Sequence, residues 1–409
     1  MTATAARDEP PGELPVSQTL GHAAPETALP NGTLELDDRS LSVVLDGQVR
    51  RFHHVWLRDN SWAAEDRVRQ SGERKLFTAS IPPGIAPTAA SWDPERGLEV
   101  LWNDGQAATY SPAWLRRYDY SPPARAERRR TVTLWAETAG EPPRFPHAEV
   151  VGSTEGQLAY LDAVRDHGAA VVTGVPSEHH EVERFARTIG HVREVAFERV
   201  HNVRHDPAGY NVAHTPGELK PHTDMPSYTW PPSIQLLHVL TNQATGGEST
   251  LVDGWAALAE LRRDAPHHFD VLTRVPVPFQ LFSDDEDTWA ENPMVQLDTH
   301  GEVRLFRFSN QLAQPLSAPF DQVEAFYDAY RHLGQIIDSG RYRATFRSAD
   351  GDLITVHSHR VLHGRMPYDP ASGARHLQDV YMEFDDLMAR RRVLRGEHRP
   401  LAAQPQEDV

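Results

Sequence analysis

The pattern that most narrows the possible folds begins at about residue 148. From there the sequence consists of many short apolar runs of strand length, punctuated by Gly and Pro, with few helical segments between them. Short strands separated by turn residues are typical of antiparallel sandwiches and barrels, whereas regular alternation of strands and helices would indicate a parallel sheet. The pattern therefore predicts a mainly β domain, an antiparallel sandwich or jelly roll with helices flanking it.

The apolar spacing also predicts the individual elements of this region. Helical periodicity covers residues 155–165, 181–189 and 320–337. Runs rich in β-branched and aromatic residues predict strands at 169–175, 234–240, 249–252, 303–308, 353–356 and 376–384. A run at 275–279 contains Pro276 and Pro278, which would confine it to a sheet edge.

The rest of the chain divides by composition. Residues 1–32 are rich in Ala, Pro, Glu and Thr and are predicted to be a disordered tail. A small β-rich N-terminal domain is predicted at 33–120, with hairpin turns at Asp46-Gly47 and Asn103-Asp104-Gly105. A Pro-rich, partly basic linker at 121–147 leads to the domain at 148–395, and residues 396–409 form a C-terminal tail.

Charge and cysteine content exclude several classes of function. The 409 residues include 41 Lys+Arg and 58 Asp+Glu, which gives a net charge of −17 and argues against nucleic acid and anionic membranes as partners. No cysteine is present, so disulfides, thiolate metal sites and cysteine nucleophiles are excluded. No stretch approaches the about 18 apolar residues of a membrane span, and the start of the chain does not read as a signal peptide. A soluble cytoplasmic protein is expected.

One histidine–acid pair has the context of a metal site. A histidine two residues before an acid occurs five times, and at this composition the pattern alone is weak evidence. Such a pair shares one face only on a strand. His222 and Asp224 lie in an extended stretch between prolines, whereas the other four pairs fall in helical, turn or linker contexts, at His147, His179, His268 and His300.

A second segment supplies a third ligand and a cation. The run that ends at His363 is followed by Gly364, which suits a ligand on a strand that another backbone approaches closely. Arg375 follows after a turn rich in Pro, Asp and Gly, and we expect it to be a cross-strand neighbour of His363 in a hairpin. Two histidines and one carboxylate form the facial triad of non-haem iron sites, and a guanidinium can hold a carboxylate by two hydrogen bonds.

Here the sequence resembles a known family. The segments PHTDMPSYTWPPSIQLLHVL, GGESTLVDGW, RVLHGR and GARHLQDVYMEFDD, with VWLRDN nearer the N-terminus, are similar to those of Fe(II)/2-oxoglutarate-dependent dioxygenases of the taurine dioxygenase superfamily. The similarity is greater to the γ-butyrobetaine and trimethyllysine hydroxylases within it. The resemblance implies a double-stranded β-helix with His222, Asp224 and His363 on iron. It also implies that Arg375, helped by Thr250, holds the distal carboxylate of 2-oxoglutarate.

The resemblance also implies a reaction. 2-Oxoglutarate and O2 are consumed, succinate and CO2 are released, and a C–H bond of the substrate is hydroxylated or desaturated. Halogenating relatives lack the carboxylate ligand, so Asp224 argues against halogenation. Relatives also suggest a homodimer.

The N-terminal domain departs from the family pattern. Relatives with this domain usually bind structural zinc through three cysteines and a histidine, and the matching positions here are Ser61, Ala63, Asp66 and Gln106. Without thiolates this set does not make a zinc site. We therefore expect the domain to fold without zinc. Elemental analysis after removal of the active-site metal would contradict this if it found zinc in stoichiometric amount.

The substrate pocket departs as well. Relatives surround a trimethylammonium group with an aromatic cage, whose matching positions here are Phe197, His201, His214 and Tyr381. Two cage positions have thus become histidine, which weakens cation–π binding and would repel a cation when protonated. The positions that contact the substrate carboxylate in relatives match Asn211, Met225, Thr241 and Asn310. Of these, only the two asparagines can make comparable contacts. The two histidines could also be plain wall residues.

Several functions remain open on the sequence. The favoured one is oxidation of a small polar metabolite that carries an amine, carboxylate or phosphonate and is not γ-butyrobetaine. The alternatives are a γ-butyrobetaine-type hydroxylase of carnitine synthesis, a non-catalytic metal-binding paralogue, and a zinc hydrolase using the same ligands. The hydrolase would leave Arg375 and Thr250 without a role.

Overall fold

The computed structural model of the chain describes residues 33–129, 132–136, 140–196, 198–204 and 212–397. These residues form two compact units, one ending at residue 129 and the other beginning at residue 132. The predicted tail at 1–32 and the candidate substrate residues Phe197 and Asn211 lie outside the described residues. Within the described ranges, none of the helices combines the length and the apolar character needed to cross a bilayer.

The first unit contains two three-stranded antiparallel sheets and short helices. Its first hairpin turns at Asp46 and Gly47, whose φ angles of 53° and 71° are those of a tight turn between antiparallel strands, as predicted. The sheets have the orders β1-β2-β3 and β4-β5-β6. The elements are β1 (Leu34–Leu36), β2 (Ser40–Leu45), β3 (Gln48–His53), α1 (His54–Asp59), β4 (Pro87–Asp93), β5 (Gly97–Trp102), β6 (Ala107–Tyr110), α2 (Pro112–Tyr118) and α3 (Pro122–Glu127).

A buried ion-pair cluster includes one of the positions that the resemblance matches to zinc ligands. Arg58 in α1 is 4% exposed, and it donates from Nη1 to Asp66 Oδ2 and from Nε to Asp104 Oδ2, each at 2.8 Å. Asp66 is one of the four positions that match zinc ligands, and its charge is thus balanced by arginine. Folding of this unit without zinc stays a prediction.

The second unit carries most of the secondary structure. Its strands are β7 (Arg144–Pro146), β8 (Ala169–Thr173), β9 (Val192–Arg193), β10 (His201–Arg204), β11 (Leu219–His222), β12 (Ile234–Asn242), β13 (Thr245–Gly246), β14 (Ser249–Asp253), β15 (Pro276–Phe282), β16 (Asp287–Pro293), β17 (Val295–Leu297), β18 (Val303–Phe306), β19 (Arg343–Phe346), β20 (Leu353–His357), β21 (Val361–Arg365), β22 (Tyr368–Asp369) and β23 (Arg375–Met382). Its helices are α4 (His147–Gly152), α5 (Thr154–His167), α6 (Glu181–Ile189), α7 (Gly254–Asp264), α8 (Pro266–Arg274), α9 (Phe320–Asp338) and α10 (Phe384–Leu394).

Two sheets pack face to face in this unit. The larger has the order β10-β23-β12-β20-β8-β7 with β9 on β23, and it is antiparallel except for the β7–β8 pair. The smaller has the order β11-β21-β14-β19 and is wholly antiparallel. A shared apolar cluster joins their inner faces, with Ile354 and Val171 from the larger sheet and Leu251 and Phe346 from the smaller. The mainly β architecture with flanking helices agrees with the sequence prediction.

Helices cover the outer face of each sheet, which explains the nearly continuous apolar strands. Along β20, Ile354 packs between the sheets while Leu353 packs outward with residues of α5 and α6. Along β14, Leu251 packs inward while Val252 joins the cluster of α7, α8 and α9. Because successive side chains of a strand point to opposite faces, a strand buried on both faces needs apolar residues throughout.

Several segments differ from the predictions, including three in or beside the second unit. The predicted linker contains α3 and β7, and α4 begins at its last residue, His147. The predicted strand at 376–384 ends at Met382, and α10 starts at Phe384. Helix α7 was not predicted, although Asp253 caps it by accepting hydrogen bonds from the amides of Trp255 and Ala256.

One ion pair lies wholly inside this unit. Asp253, at the end of β14, and Arg360, before β21, are both 0% exposed. Arg360 donates from Nε and Nη2 to the two oxygens of Asp253, at 3.1 and 2.7 Å. It also donates to the carbonyls of Asp166 and Thr133. The pair therefore ties the smaller sheet to the chain that precedes β7 and to the end of α5.

Candidate active site

The three predicted metal ligands lie together at the edge strand of the smaller sheet and the strand beside it. His222 ends β11 and His363 lies in β21, and the two are direct cross-strand partners. Asp224 follows two residues after His222, with its carboxylate oxygens 3.3 Å from His222 Nε2 and 3.7 Å from His363 Nε2. One ligand atom from each residue lies within 4.8 Å of the others. The three residues thus converge on one point, as the sequence spacing predicts.

The protonation states of the triad suit a divalent metal ion. His222 Nδ1 lies 2.8 Å from the carbonyl of Lys220, so Nδ1 carries the proton and Nε2 is left to face the triad. Burial lowers the pKa of the His363 imidazole to about 4, which leaves it neutral. Burial alone would raise the pKa of Asp224, but His363, His222 and the Tyr381 hydroxyl hold it well below its usual range. Two imidazoles and one carboxylate are the ligand set for non-haem iron.

Two side chains of the larger sheet fix the carboxylate. Tyr381 donates its hydroxyl to Asp224 Oδ2 at 2.7 Å, and Gln235 donates its amide to the same oxygen at 2.8 Å. Burial raises the pKa of Tyr381 well above its usual value, so the hydroxyl remains a donor. Hydrogen bonds of this kind orient metal ligands. Tyr381, predicted only as a substrate-cage residue, therefore also positions Asp224.

Arg375 shares the cavity with the triad but not in the predicted way. His363 and Arg375 were predicted to be cross-strand neighbours in a hairpin, and this is wrong. His363 lies in the smaller sheet and Arg375 begins β23 of the larger, opposite Asn242. Between them β22 pairs with β13, so the chain crosses from one sheet to the other. The two residues line one cavity from opposite sheets.

The Arg375 guanidinium is a half-buried cation that no anion among the described residues pairs with. It packs over the Tyr368 ring, 5.5 Å from the ring centroid, and Gly247 has φ of +73° and leaves room beside it. Among the described residues no acid pairs with it, and its Nε makes no hydrogen bond. Burial, with a smaller effect of Arg365, lowers the pKa of Arg375 to about 10, so it stays charged at neutral pH.

The structure does not place Thr250 among the described residues that line the cavity. Along β14, Leu251 packs between the two sheets and Ser249 shares its face, so Thr250 points the other way. Ser249 lines the cavity, and Thr250 is not among the described residues that do so. Thr250 lies instead opposite Gly364, where an added Cβ would come within 2.8 Å of its hydroxyl and 2.6 Å of the Leu219 carbonyl. The polar residue of β14 at the cavity is therefore Ser249.

The candidate substrate residues are only partly gathered at the cavity, whose volume is about 150 Å³. His201 and Tyr381 line it, and the buried His214 ring lies 5.9 Å from that of His201. Asn310 is exposed and accepts a hydrogen bond from Tyr330 at 3.4 Å, so the structure does not bring it to the lining. Met225 does line the cavity, with φ of 51° directly after Asp224.

The sequence reasoning missed Gln235 and Asp379. Asp379 lies in β23 opposite His201 and Leu237, lines the cavity, and is 2% exposed. Gln235 donates to Asp379 Oδ2 at 2.8 Å and so joins it to Asp224. Burial, reinforced by the charge of Asp224, raises the pKa of Asp379 to about 7. The sequence could have indicated Asp379, because Arg375, Asp379 and Tyr381 are separated by even numbers of residues along one strand and therefore lie on the same face.

The chain is similar to two described families and to solved structures. The family described as Taurine catabolism dioxygenase TauD, TfdA matches residues 136–381. A second family, described as Gamma-butyrobetaine hydroxylase-like, N-terminal, matches residues 33–116. Among solved structures, the non-heme iron oxygenase OrfP in complex with Fe and alpha-ketoglutaric acid aligns with a TM-score of 0.44 at 18% identity, over 56% of this chain and 80% of that one.

Curated relatives match over most of their length. Gamma-butyrobetaine dioxygenase of Pseudomonas sp. (strain AK-1) is 36% identical over 85% of this chain and 92% of its own. The Homo sapiens protein of that name is 27% identical over 88% and 96%. The mitochondrial trimethyllysine dioxygenase of Rattus norvegicus is 28% identical over 89% and 87%. The chain therefore belongs to the TauD/TfdA family and is an iron- and 2-oxoglutarate-dependent dioxygenase.

Proposed function

We propose that this enzyme hydroxylates or desaturates an unactivated C–H bond of a small polar metabolite other than γ-butyrobetaine, with release of succinate and CO2. In this proposal His222, Asp224 and His363 hold the iron, and Arg375 binds the distal carboxylate of 2-oxoglutarate. The substrate occupies the end of the cavity lined by His201 and Tyr381, with His214 beside His201.

The observation that carries the proposal is the half-buried Arg375 guanidinium, whose Nε is buried and without a hydrogen bond, in the same cavity as the triad. A buried charge is normally paired, because leaving it alone in a low-dielectric site is costly. Arg375 has no acidic partner among the described residues, and it lines the same cavity as His222 and His363. A dicarboxylate that reaches from the metal to Arg375 supplies the missing anion. A zinc hydrolase would give this cation no role.

The residues of this chain position and shield the reaction. Bound iron supplies the oxidative chemistry with O2 and 2-oxoglutarate. Tyr381 and Gln235 hold Asp224 in one orientation through the hydrogen bonds described above. Apolar walls that include Leu237, Leu377 and Ile354 exclude water from the cavity.

Two pocket residues argue against γ-butyrobetaine as the substrate. The relatives named gamma-butyrobetaine dioxygenase and trimethyllysine dioxygenase are similar over nearly the whole chain. A trimethylammonium group is bound through cation–π contacts worth about 0.5–2 kcal/mol each, and His201 and His214 replace two aromatic rings of the cage implied by the resemblance. Carnitine synthesis is therefore not the function that we favour.

The first test is an anaerobic titration of 2-oxoglutarate into the Fe(II)-loaded protein. We expect a visible charge-transfer band in the wild type and its loss in Arg375→Ala, because that variant removes the cation that binds the distal carboxylate. Affinity for 2-oxoglutarate should fall by about tenfold or more, the effect of losing a charge-assisted hydrogen-bond pair. Isothermal calorimetry gives the same affinity without relying on colour. The matched control is Arg392→Ala, since Arg392 is exposed at the end of α10.

The two variants divide the outcomes. Loss of the band in Arg375→Ala but not in Arg392→Ala supports the proposed site, and succinate release then serves to screen substrates. A folded, iron-loaded wild-type protein that gives no band with 2-oxoglutarate would contradict the proposal and favour a non-catalytic paralogue. Equal affinity in wild type and Arg375→Ala would contradict the role of Arg375 alone.

A further inference from the structure

A second acid lies in the cavity beyond the metal triad. Asp379 is buried on β23, directly opposite His201 of β10 and four residues after Arg375 on the same strand face. At a rise of about 3.3 Å per residue, this places the Asp379 and Arg375 backbones roughly 13 Å apart along the strand. The two charges therefore mark different ends of the cavity, and Asp379 lies at the end with His201 and Tyr381.

The arginines that line the cavity do not neutralise the Asp379 carboxylate. Among the described residues, the acids and arginines of the lining are Asp224, Asp379, Arg365 and Arg375. Asp224 belongs with the metal, and Arg375 is the candidate partner of 2-oxoglutarate. Arg365 donates to the backbone carbonyls of Ala213, Thr215 and Gly217 and packs over Tyr368, 4.6 Å from the ring centroid. These contacts hold the Arg365 guanidinium away from Asp379. Asp379 thus remains the buried acid of the lining that no lysine or arginine among the described residues pairs with.

Two hydrogen-bond acceptors in the same place are also without donors. The amide of Gln235 donates to Asp379 Oδ2, while Asp379 Oδ1 and Gln235 Oε1 accept no hydrogen bond from any described residue. Both side chains line the cavity. Buried acceptors left unmatched cost free energy, so a ligand that brings N–H donors to them is favoured over one that does not.

We propose that Asp379, supported by Gln235, determines substrate specificity by binding a nitrogen cation that carries N–H donors, such as a primary ammonium or a guanidinium group. The inference rests on the proposed function and names the substrate class for the same cavity. A trimethylammonium group carries positive charge but no conventional N–H donor, so it would leave both acceptors unmatched. With His201 and His214 in place of aromatic rings, the cation–π contacts that such a group needs are lost.

The test compares paired ligands on the full-length protein loaded with Fe(II) and 2-oxoglutarate without O2. Each pair consists of an ω-amino acid and its N-trimethyl counterpart, beginning with γ-aminobutyrate and γ-butyrobetaine and continuing through longer chains and a guanidino acid. Calorimetry measures each affinity, and the charge-transfer band is recorded in the same samples. We expect the wild type to prefer the N–H member of at least one pair by about tenfold or more.

The variant Asp379→Asn keeps the size of the side chain and removes its charge. We expect it to lose that preference while it keeps the 2-oxoglutarate band and the melting temperature of the wild type. The matched control is Asp270→Asn, which makes the same change at an exposed position of α8. The wild-type comparison stands by itself if Asp379→Asn fails to fold.

The outcomes for this inference and for the proposed function can be told apart. A wild-type protein that forms the band but binds the trimethyl members as tightly, or binds no N–H member at all, overturns the inference and leaves the dioxygenase site intact. An unchanged preference in Asp379→Asn overturns it as well. Absence of the band in folded protein overturns the proposed function, and the inference with it.

Discussion

Replacing Asp224 with alanine is expected to reduce 2-oxoglutarate-dependent turnover by more than about a hundredfold, because loss of a partner that merely orients a metal ligand already costs about 10–100-fold. Asp224 is the anionic ligand of the triad, and both histidines lie within 4 Å of its oxygens. Without it, two imidazoles remain to hold a dication. Succinate release and iron content per chain measure the two consequences.

Two further variants provide an intermediate loss of activity and an unaffected control for comparison with Asp224→Ala. Tyr381→Phe removes one hydrogen bond to Asp224 and keeps the ring, so we expect an intermediate loss of about 10–100-fold. Asp270→Ala removes an exposed carboxylate from α8 and should leave turnover unchanged. Full activity in Asp224→Ala would refute the assignment of the metal site. Equal losses in Tyr381→Phe and Asp224→Ala would show that the Tyr381 hydroxyl has a larger role than orienting Asp224.

Replacing Arg360 with methionine is expected to give the largest loss of stability of any single substitution considered. The change leaves the buried carboxylate of Asp253 without its guanidinium, and breaking a buried pair in this way costs about 3–5 kcal/mol. For a unit of this size each kcal/mol lowers the melting temperature by about 2–4 °C, so we expect a fall of roughly 6–20 °C. Differential scanning calorimetry measures it directly.

The chain offers a matched control for this prediction. Arg263 and Asp264 form a two-point pair of similar geometry in α7, but their side chains are 66% and 49% exposed. Exposed pairs contribute about 0–1 kcal/mol, so Arg263→Met should melt close to the wild type. If Arg360→Met melted as the control does, the Asp253 carboxylate would have to be stabilised by backbone amides alone. These are the amide of Trp135, which donates to Asp253 Oδ2 at 3.0 Å, and the two helix amides that Asp253 caps.

The strands were predictable because their apolar pattern reflects burial on both faces. Residues 234–240 and 353–356 were predicted within a few residues of the observed β12 and β20. Helix α10 was not, since its first residue, Phe384, continues the apolar pattern of β23 without a Gly or Pro between them. Local spacing predicts an element well and its end poorly, because the end depends on what the chain packs against next.

The candidate site was predictable to the extent that it is local in sequence. His222 and Asp224 are two residues apart, and a strand-like context is enough to bring them together. The relation of His363 to Arg375 was not local, because the intervening turn carries the chain from one sheet to the other. Thr250 and Ser249 differ by a single step along β14, and only the burial of Leu251 between the sheets decides which of them faces the cavity.

The pairing of His222 with His363 bears on how such an enzyme can change over generations. The two ligands meet because β11 and β21 are aligned at that step of their hydrogen-bond ladder. One residue inserted or deleted within either strand would turn its ligand to the opposite face, whereas loops between strands can lengthen without moving either. We therefore expect natural length variation among homologues to collect in those loops, so that new substrate pockets arise around a catalytic centre that stays in place.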